Sequence, residues 1–213
     1  MTTISWRLTV LAICLSALAG YVDAIGYLTL GGFFVSFMSG NSTRLAVGLA
    51  SIVTGGTGAA ALIAATLVGS FVAGVVAGSV VGSAAGRHRR SAVLVLVAVI
   101  LGTATLLGNG LGAAVAMALA MGAENAVFER DGEIHIGLTY MTGTLVKLGH
   151  RLATAMLGGP RFAWLPYLLL WAGLVTGAVI GAFAYSTLGS TALLAGAVTA
   201  LLLAVVAAYL MGV

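Results

Sequence analysis

The chain has 213 residues, of which 61% are hydrophobic and only 7% are charged. A soluble domain of this length needs many more charged residues to stay dissolved, so the composition indicates a membrane protein. The net charge of +4 does not indicate a nucleic-acid partner, because the basic residues lie at the ends of apolar segments. Cys14 is the only cysteine, which excludes a disulfide or a thiolate metal cluster within one chain.

Six apolar stretches are each long enough to cross a bilayer, which takes about 20 helical residues. Asn109-Gly110 is the only break between the third and the fourth stretch, so those two helices are expected to form a tight hairpin. Pro166 suits the first turn of the fifth helix, where its missing N–H costs nothing. We therefore predict an all-α polytopic membrane protein with six transmembrane helices. In chain order the stretches lie at 8–30, 57–84, 91–109, 110–128, 163–185 and 190–212.

Two polar segments interrupt this apolar pattern. We name residues 33–52 the first cassette and residues 136–152 the second cassette. The sequence SFMSGNSTRL, from Ser36 to Leu45, recurs 103 residues later as TYMTGTLVKL, from Thr139 to Leu148. Hydroxyl residues, an aromatic residue, methionine, glycine and a basic residue follow each other in the same order. The chain is therefore predicted to consist of two related halves, 1–109 and 110–213, within one membrane domain.

The two halves match outside the cassettes as well. Gly20-Tyr-Val-Asp23 aligns with Gly122-Ala-Glu-Asn125 at an offset of 102 residues. Two ladders of glycines at every fourth position align at an offset of 99 residues and predict close helix packing. The contact lies either within the monomer, where the two ladders could cross on a pseudo-symmetry axis, or across a dimer, and the first is favoured. The ladders consist of Gly74, Gly78 and Gly82, and of Gly173, Gly177 and Gly181. The alternative is that helices rich in small residues resemble each other by composition alone.

The basic residues predict the orientation. With six spans and a cytoplasmic N-terminus, nearly all of them fall on the cytoplasmic side, and Arg44 alone falls outside. Both termini are then cytoplasmic. Because three spans reverse the direction of the following half, the repeats are expected to be inverted. Each cassette is then a re-entrant or broken helix, the first entering from outside and the second from inside.

The hydroxyl and amide residues of the cassettes are candidates for contact with a solute. Such side chains cap helix starts and satisfy backbone groups where a helix is broken. A broken helix also exposes unpaired N–H groups that attract anions or carbonyl oxygens. The alternative is an ordinary capped re-entrant hairpin without a ligand. The candidate residues are Ser39, Asn41, Ser42 and Thr43 in the first cassette, and Thr142 and Thr144 in the second.

Charged residues in the apolar stretches form a second group of candidates. Asp23 lies well inside the first span, where a carboxylate is unfavourable unless it is paired, protonated or hydrated. Its counterpart is Asn125, with Glu124 beside it. We expect Asp23 to pair with Arg44 and Glu124 to pair with Lys147, and the two acids to couple or gate transport. The alternative is that each pair only fixes a cassette to its helix.

These blocks resemble the signature of the YoaK-type bacterial inner-membrane proteins, over nearly the whole chain. The resemblance rests on Gly20 to Ala24, Phe37 to Arg44, Gly122 to Ala126 and Thr139 to Lys147. It implies a six-helix membrane protein of a family of unknown function that is generally suspected of being a permease. It names no substrate. Glu124 replaces the glutamine of the family pattern, so a role for an amide at that position does not carry over.

Together these features predict a small secondary transporter or facilitator in the bacterial inner membrane, with its site at the midplane between the cassettes. The expected partners are a small polar solute or ion and the lipid bilayer, and a homodimer is plausible for so small a bundle. No cofactor, metal or nucleic acid is expected. An enzyme is not expected either, because no nucleophile and base or metal-ligand pattern converges. The alternatives are a passive channel of the same hourglass layout, or a non-transporting protein that binds lipid or a partner.

Overall fold

The computed structural model describes residues 6–130, 133–134 and 138–212. Most of these residues are helical, which confirms the predicted all-α class; the only strands among the described residues are β1 (Glu129–Arg130) and β2 (Glu133–Ile134), which form a small hairpin. The helices are α1 (Trp6–Thr29), α2 (Met38–Val53), α3 (Ala59–Ala85), α4 (Arg89–Leu107), α5 (Leu111–Glu124), α6 (Met141–Met156), α7 (Leu165–Leu188) and α8 (Ala192–Gly212).

Four apolar helical segments are long enough to cross a membrane: Trp6–Thr29, Ala59–Leu107, Leu111–Phe128 and Leu165–Tyr209. The second contains both α3 and α4, which a 3₁₀ turn at Gly86–His88 joins, and the fourth contains both α7 and α8. Each of the six apolar stretches thus coincides, within three residues at most ends, with one α-helix. The predicted tight turn at Asn109-Gly110 is present, and Pro166 lies in the first turn of α7, as predicted.

Glycines bring the first helix of each half against the third helix of the other half. Ile13, Ala17 and Tyr21 of α1 lie against glycines that follow in the same order along α7, so the two helices run parallel. Leu119 and Ala123 of α5 lie in the same way against α3. A Cβ on most of these glycines would overlap a backbone carbonyl of the neighbour, so only glycine permits this approach. The glycines of α7 are Gly173, Gly177 and Gly181, and those of α3 are Gly74 and Gly78.

These contacts correct two predictions about the ladders. Gly74 faces Leu119, and Gly177 faces Ala17, which is 102 residues before Leu119. The structurally equivalent glycines are therefore Gly74 and Gly177, at an offset of 103 residues, and the predicted offset of 99 is wrong. The ladders also do not cross each other, since each packs on a helix that carries no ladder. Because glycines recur at every fourth position in both ladders, the sequence pattern fits an alignment shifted by four residues, or one helical turn, equally well.

Two polar contacts show which helix ends lie together at each end of the bundle. Arg89, at the start of α4, forms a 2.9 Å ion pair with Glu129, just after α5. At the other end, Tyr185 near the end of α7 donates a hydrogen bond of 3.4 Å to Asn109, between α4 and α5. Thus α1, α4 and α7 run in one direction, and α3, α5 and α8 run in the other. Helices α1, α4 and α7 all begin at one end of the bundle, which we name the basic end. Five arginines lie at or next to these helix starts: Arg7, Arg87, Arg89, Arg90 and Arg161.

The cassette helices α2 and α6 are short and begin near the middle of the bundle. Each has 16 residues, and they start and end 103 residues apart. Gly48 of α2 lies against Ala61, near the start of α3, whereas the start of α2 shares a cavity wall with Phe71, halfway along α3. Helix α2 therefore runs antiparallel to the first half of α3. At 1.5 Å per residue it is only about 24 Å long, less than the ~30 Å hydrocarbon core.

Candidate functional site

The starts of the two cassette helices open on one cavity of about 410 Å³. Four residues of each cassette line it at equivalent positions, 103 residues apart. Phe71 of α3 and Gly143 of α6 complete the wall. No charged side chain lies among these residues. The equivalent sets are Ser36, Phe37, Met38 and Ser39, and Thr139, Tyr140, Met141 and Thr142.

Both cassette helices begin without a side-chain cap. Their N-cap residues are Phe37 and Tyr140, and neither supplies a capping hydrogen bond. The prediction that hydroxyl and amide side chains cap these starts is therefore wrong, because aromatic residues hold the N-cap positions and Ser39 and Thr142 already lie inside the helices. The first N–H groups of a helix point toward its start and lack intrahelical acceptors. Two helix starts thus direct donors and partial positive charge toward the cavity.

Asp23 fixes the non-helical segment that leads into α2. Its Oδ1 accepts hydrogen bonds of 2.8 Å from the backbone N–H groups of Val35 and of Ser36. Gly31 and Gly32 allow the preceding reversal, since their φ angles of +60° and +107° are ones that other residues rarely adopt. The carboxylate therefore holds the chain where it turns back from the end of α1 to the middle of the bundle.

Asn125 has the equivalent position in the second half. Its Oδ1 accepts a 3.2 Å hydrogen bond from the Oγ1 of Thr139, and its side-chain amide donates to the carbonyl of Met121. Thr139 corresponds to Ser36, so both halves fix the segment before the cassette helix from the same helical position. One half uses an ionisable side chain and the other an amide of the same shape.

The ion pairs expected for the two acids do not form. The guanidinium of Arg44 lies over the ring of Phe33, 4.8 Å from its centroid, and not on Asp23. Lys147 is exposed, whereas Glu124 is fully buried and both of its carboxylate oxygens lack a hydrogen-bond partner. Each acid was expected to pair with the basic residue of its own half. Asp23 is instead satisfied by backbone N–H groups that only the fold brings to it.

The remaining candidates are held locally. Asn41 is buried and both accepts from the N–H and donates to the carbonyl of Phe34. The hydroxyls of Ser42, Thr43 and Thr144 donate to backbone carbonyls one turn earlier in their own helices. Of the predicted solute contacts, only Ser39 and Thr142 lie on the cavity wall.

Sequence reasoning passed over six residues that line the cavity: Ser36, Met38, Phe71, Thr139, Met141 and Gly143. Ser36 and Thr139 belong to the repeated motif but were not selected, although their hydroxyls begin both copies. Phe71 lies in an apolar helix and carries no signal that distinguishes it from a lipid-facing residue. Across residues 6–130, 133–134 and 138–212, no three side chains of His, Cys, Asp or Glu could hold a metal ion together.

Comparisons with known proteins agree with the resemblance found in the sequence. Residues 11–206 match the family described as "Protein of unknown function (DUF1275)". A UPF0700 transmembrane protein of Rhizobium meliloti (strain 1021) is 39% identical over 194 residues, which cover 91% of this chain and 83% of that protein. No solved structure matches the chain. The predicted kinship with the YoaK-type membrane family is thereby confirmed.

Proposed function

Since the chain belongs to the DUF1275 family of multi-pass membrane proteins of unknown function, we propose that it is a permease for a small polar solute. The solute binds in the cavity between the starts of α2 and α6. The observation that carries this proposal is the symmetric cavity wall, in which four residues of each cassette meet their counterparts. Such a site near the bilayer midplane, between broken helices of two repeats, is the arrangement used by many secondary transporters.

The proposal requires six spans arranged as two inverted repeats. The long helices α1, α3 and α4 of the first half run opposite to their counterparts α5, α7 and α8, which supports inversion. The cassettes are then re-entrant: α2 runs from the midplane to the outer surface, and α6 runs from the midplane to the basic end. We place the basic end in the cytoplasm of a bacterial inner membrane, together with both termini.

The chemistry of the cavity favours a solute that presents acceptor oxygens or a negative charge. Two uncapped helix starts supply N–H donors, and the hydroxyls of Ser36, Ser39, Thr139 and Thr142 donate or accept. Phe37, Phe71 and Tyr140 supply apolar faces. A metal cation finds no carboxylate among the described residues that line the cavity, whereas a neutral polar molecule or a small anion finds donors on both sides.

Flux into proteoliposomes tests the proposal with urea, glycerol and potassium nitrate as probes, the last with valinomycin to balance charge. We expect stopped-flow light scattering to detect faster entry of at least one probe than into protein-free liposomes. Gly143→Trp should reduce this entry to background, because Gly143 lines the cavity and a Cβ atom there meets no atom within 4 Å, so the backbone admits the larger residue and its ring can fill the cavity.

Gly149→Trp is the matched control for this substitution. Gly149 lies on the same helix and is equally free of neighbours within 4 Å, but it does not line the cavity. Its variant should keep the wild-type flux. Equal flux in the two tryptophan variants, or no probe entering faster than into bare liposomes, would show that the cavity is not a transport site and would favour a lipid- or partner-binding role.

A further inference from the structure

Glu124 is the least satisfied polar side chain of the described bundle. It is 0% exposed, and neither carboxylate oxygen has a hydrogen-bond partner. A buried ionised carboxylate without a partner is strongly unfavourable, so the group is neutral or is satisfied in another conformation. A buried group of this kind in a folded protein calls for a functional explanation.

Within the part of the chain that the structure describes, no cation compensates Glu124. Helix α5 packs against α1, α3, α4 and the 3₁₀ segment Asn125–Phe128, and neither α3 nor that segment carries a titratable residue. Among the described residues, no basic nitrogen lies within 4.0 Å of its oxygens, since the one ion pair there joins Arg89 and Glu129. The titratable groups on the packed helices are Arg7, Cys14, Tyr21, Asp23 and Tyr27 of α1, and Arg89 and Arg90 of α4.

The most prominent of these groups have other partners. Asp23 accepts from two backbone N–H groups, and Tyr21 donates to the carbonyl of Ala192. Arg89 also donates to the carbonyl of Ala126, and Arg90 lies 5.9 Å from the ring centroid of Phe128. Of the two acids on the described α-helices, Asp23 and Glu124, only Glu124 has no hydrogen-bond or ion-pair partner.

Glu124 has no acidic counterpart in the first half of the chain. At the offset of 102 residues, Glu124 corresponds to Val22, which is also fully buried. Packing at this position is therefore satisfied by an apolar side chain in the first half. The carboxyl group adds nothing that the fold requires there.

Glu124 also lies within one turn of two contacts with the cavity wall. Gly122 packs against the backbone of Phe71, and Asn125 accepts from Thr139; Phe71 and Thr139 both line the cavity. A rearrangement of the second cassette on solute binding is therefore transmitted directly to the turn that carries Glu124.

We infer that Glu124 carries the proton of a proton-coupled transport cycle, an inference that rests on the proposed permease function. In the conformation described here its carboxyl group is protonated and buried. When the second cassette moves, the O–H bond breaks and the proton passes to water on one side; a proton from water on the other side restores the bond. The proton gradient supplies the driving force, and no other reactant is needed. Asp23 is a positioning residue in this scheme.

Infrared spectroscopy tests the protonation without any solute. The purified protein at neutral pH should show the C=O stretching band of a buried protonated carboxylic acid. Glu124→Gln and Glu124→Val should both remove the band, and Asp23→Asn should retain it. Valine is the residue at the equivalent position of the first half, Val22, so Glu124→Val provides a second test should Glu124→Gln fail to fold. Absence of the band in the wild type, or its survival in both Glu124 variants, overturns the inference.

Flux with and without an imposed pH gradient tests the coupling, with the same three probes and pyranine inside the vesicles. Wild-type flux should respond to the gradient and carry protons, whereas both Glu124 variants should transport without either effect. A gradient response that both variants retain, or a wild-type flux indifferent to the gradient, overturns the inference while the permease function stands; the latter identifies a passive channel. No flux of any probe in the wild type refutes the permease function, and the inference with it.

Discussion

At the scale of residues, Asp23 shows how burial and backbone contacts decide the role of an intramembrane acid. The residue type alone is compatible with an ion pair, a proton carrier or a ligand. The structure gives it two backbone donors, and its counterpart Asn125 has the same task without a charge. A function shared with a non-titrating amide does not require ionisation. We therefore regard Asp23 as a clamp for the first cassette.

Substitutions at Asp23 should separate shape from charge. Asp23→Asn keeps an acceptor oxygen and should shift the midpoint of thermal unfolding in detergent only slightly. Asp23→Leu leaves the buried N–H groups of Val35 and Ser36 unsatisfied, at a cost of about 1–3 kcal/mol each, so its midpoint should fall markedly. Equal unfolding midpoints for the two variants would contradict this role of Asp23. So would a large fall of the midpoint in Asp23→Asn but not in Asp23→Leu.

At the scale of elements, the contact between the halves depends on backbones that approach each other at glycine. Apolar burial distinguishes one helix from another only weakly in a membrane, because lipid is as apolar as leucine. Close contact then depends on small residues, and the pairs α1 with α7 and α3 with α5 are fixed by this means. These pairs interlock the two halves, so neither half is a separate folding unit in the structure.

Alanine substitutions within α3 test this contact. Gly74→Ala should destabilise the protein by about 1–3 kcal/mol, because its Cβ would overlap the backbone carbonyl of Leu119. Relief of this overlap requires one of the two helices to shift, since a backbone carbonyl cannot rotate away as a flexible side chain can. Gly69→Ala on the same helix meets nothing within 4 Å and should be neutral or stabilise by up to about 1 kcal/mol. Unfolding in detergent measures both values; similar effects at the two positions would refute the role of the contact.

At the scale of the whole molecule, the proposed inverted arrangement predicts from the directions of the helices which side of the membrane each cassette faces. Helix α2 leads into α3 at the end opposite the basic end, whereas α6 leads into α7 at the basic end. The ends of the two cassette helices are therefore expected on opposite sides of the bilayer. This geometry is what allows two similar segments to meet at one cavity.

Cysteine labelling in intact cells tests the arrangement in a Cys14→Ala background. Val53 and Leu157 are each 88% exposed, at the end of α2 and just after α6. A membrane-impermeant maleimide should label Val53→Cys from outside, and should label Leu157→Cys only after the cells are permeabilised. Labelling of both from the same side would refute the inverted arrangement and the site that depends on it. Mass measurement of the detergent-solubilised protein tests the expected homodimer separately.

The sequence by itself determined the membrane class, the positions of the six long helices and the cassettes, because hydropathy and helix-ending residues such as Asn109-Gly110 act locally. It also predicts the repeat, since equivalent residues keep their order along the chain. Only the tertiary structure decided the register of the glycines, the partners of Asp23 and the isolation of Glu124. These depend on contacts between segments far apart in the chain, and several registers or partners satisfy the same local pattern. Burial and backbone geometry select one of them.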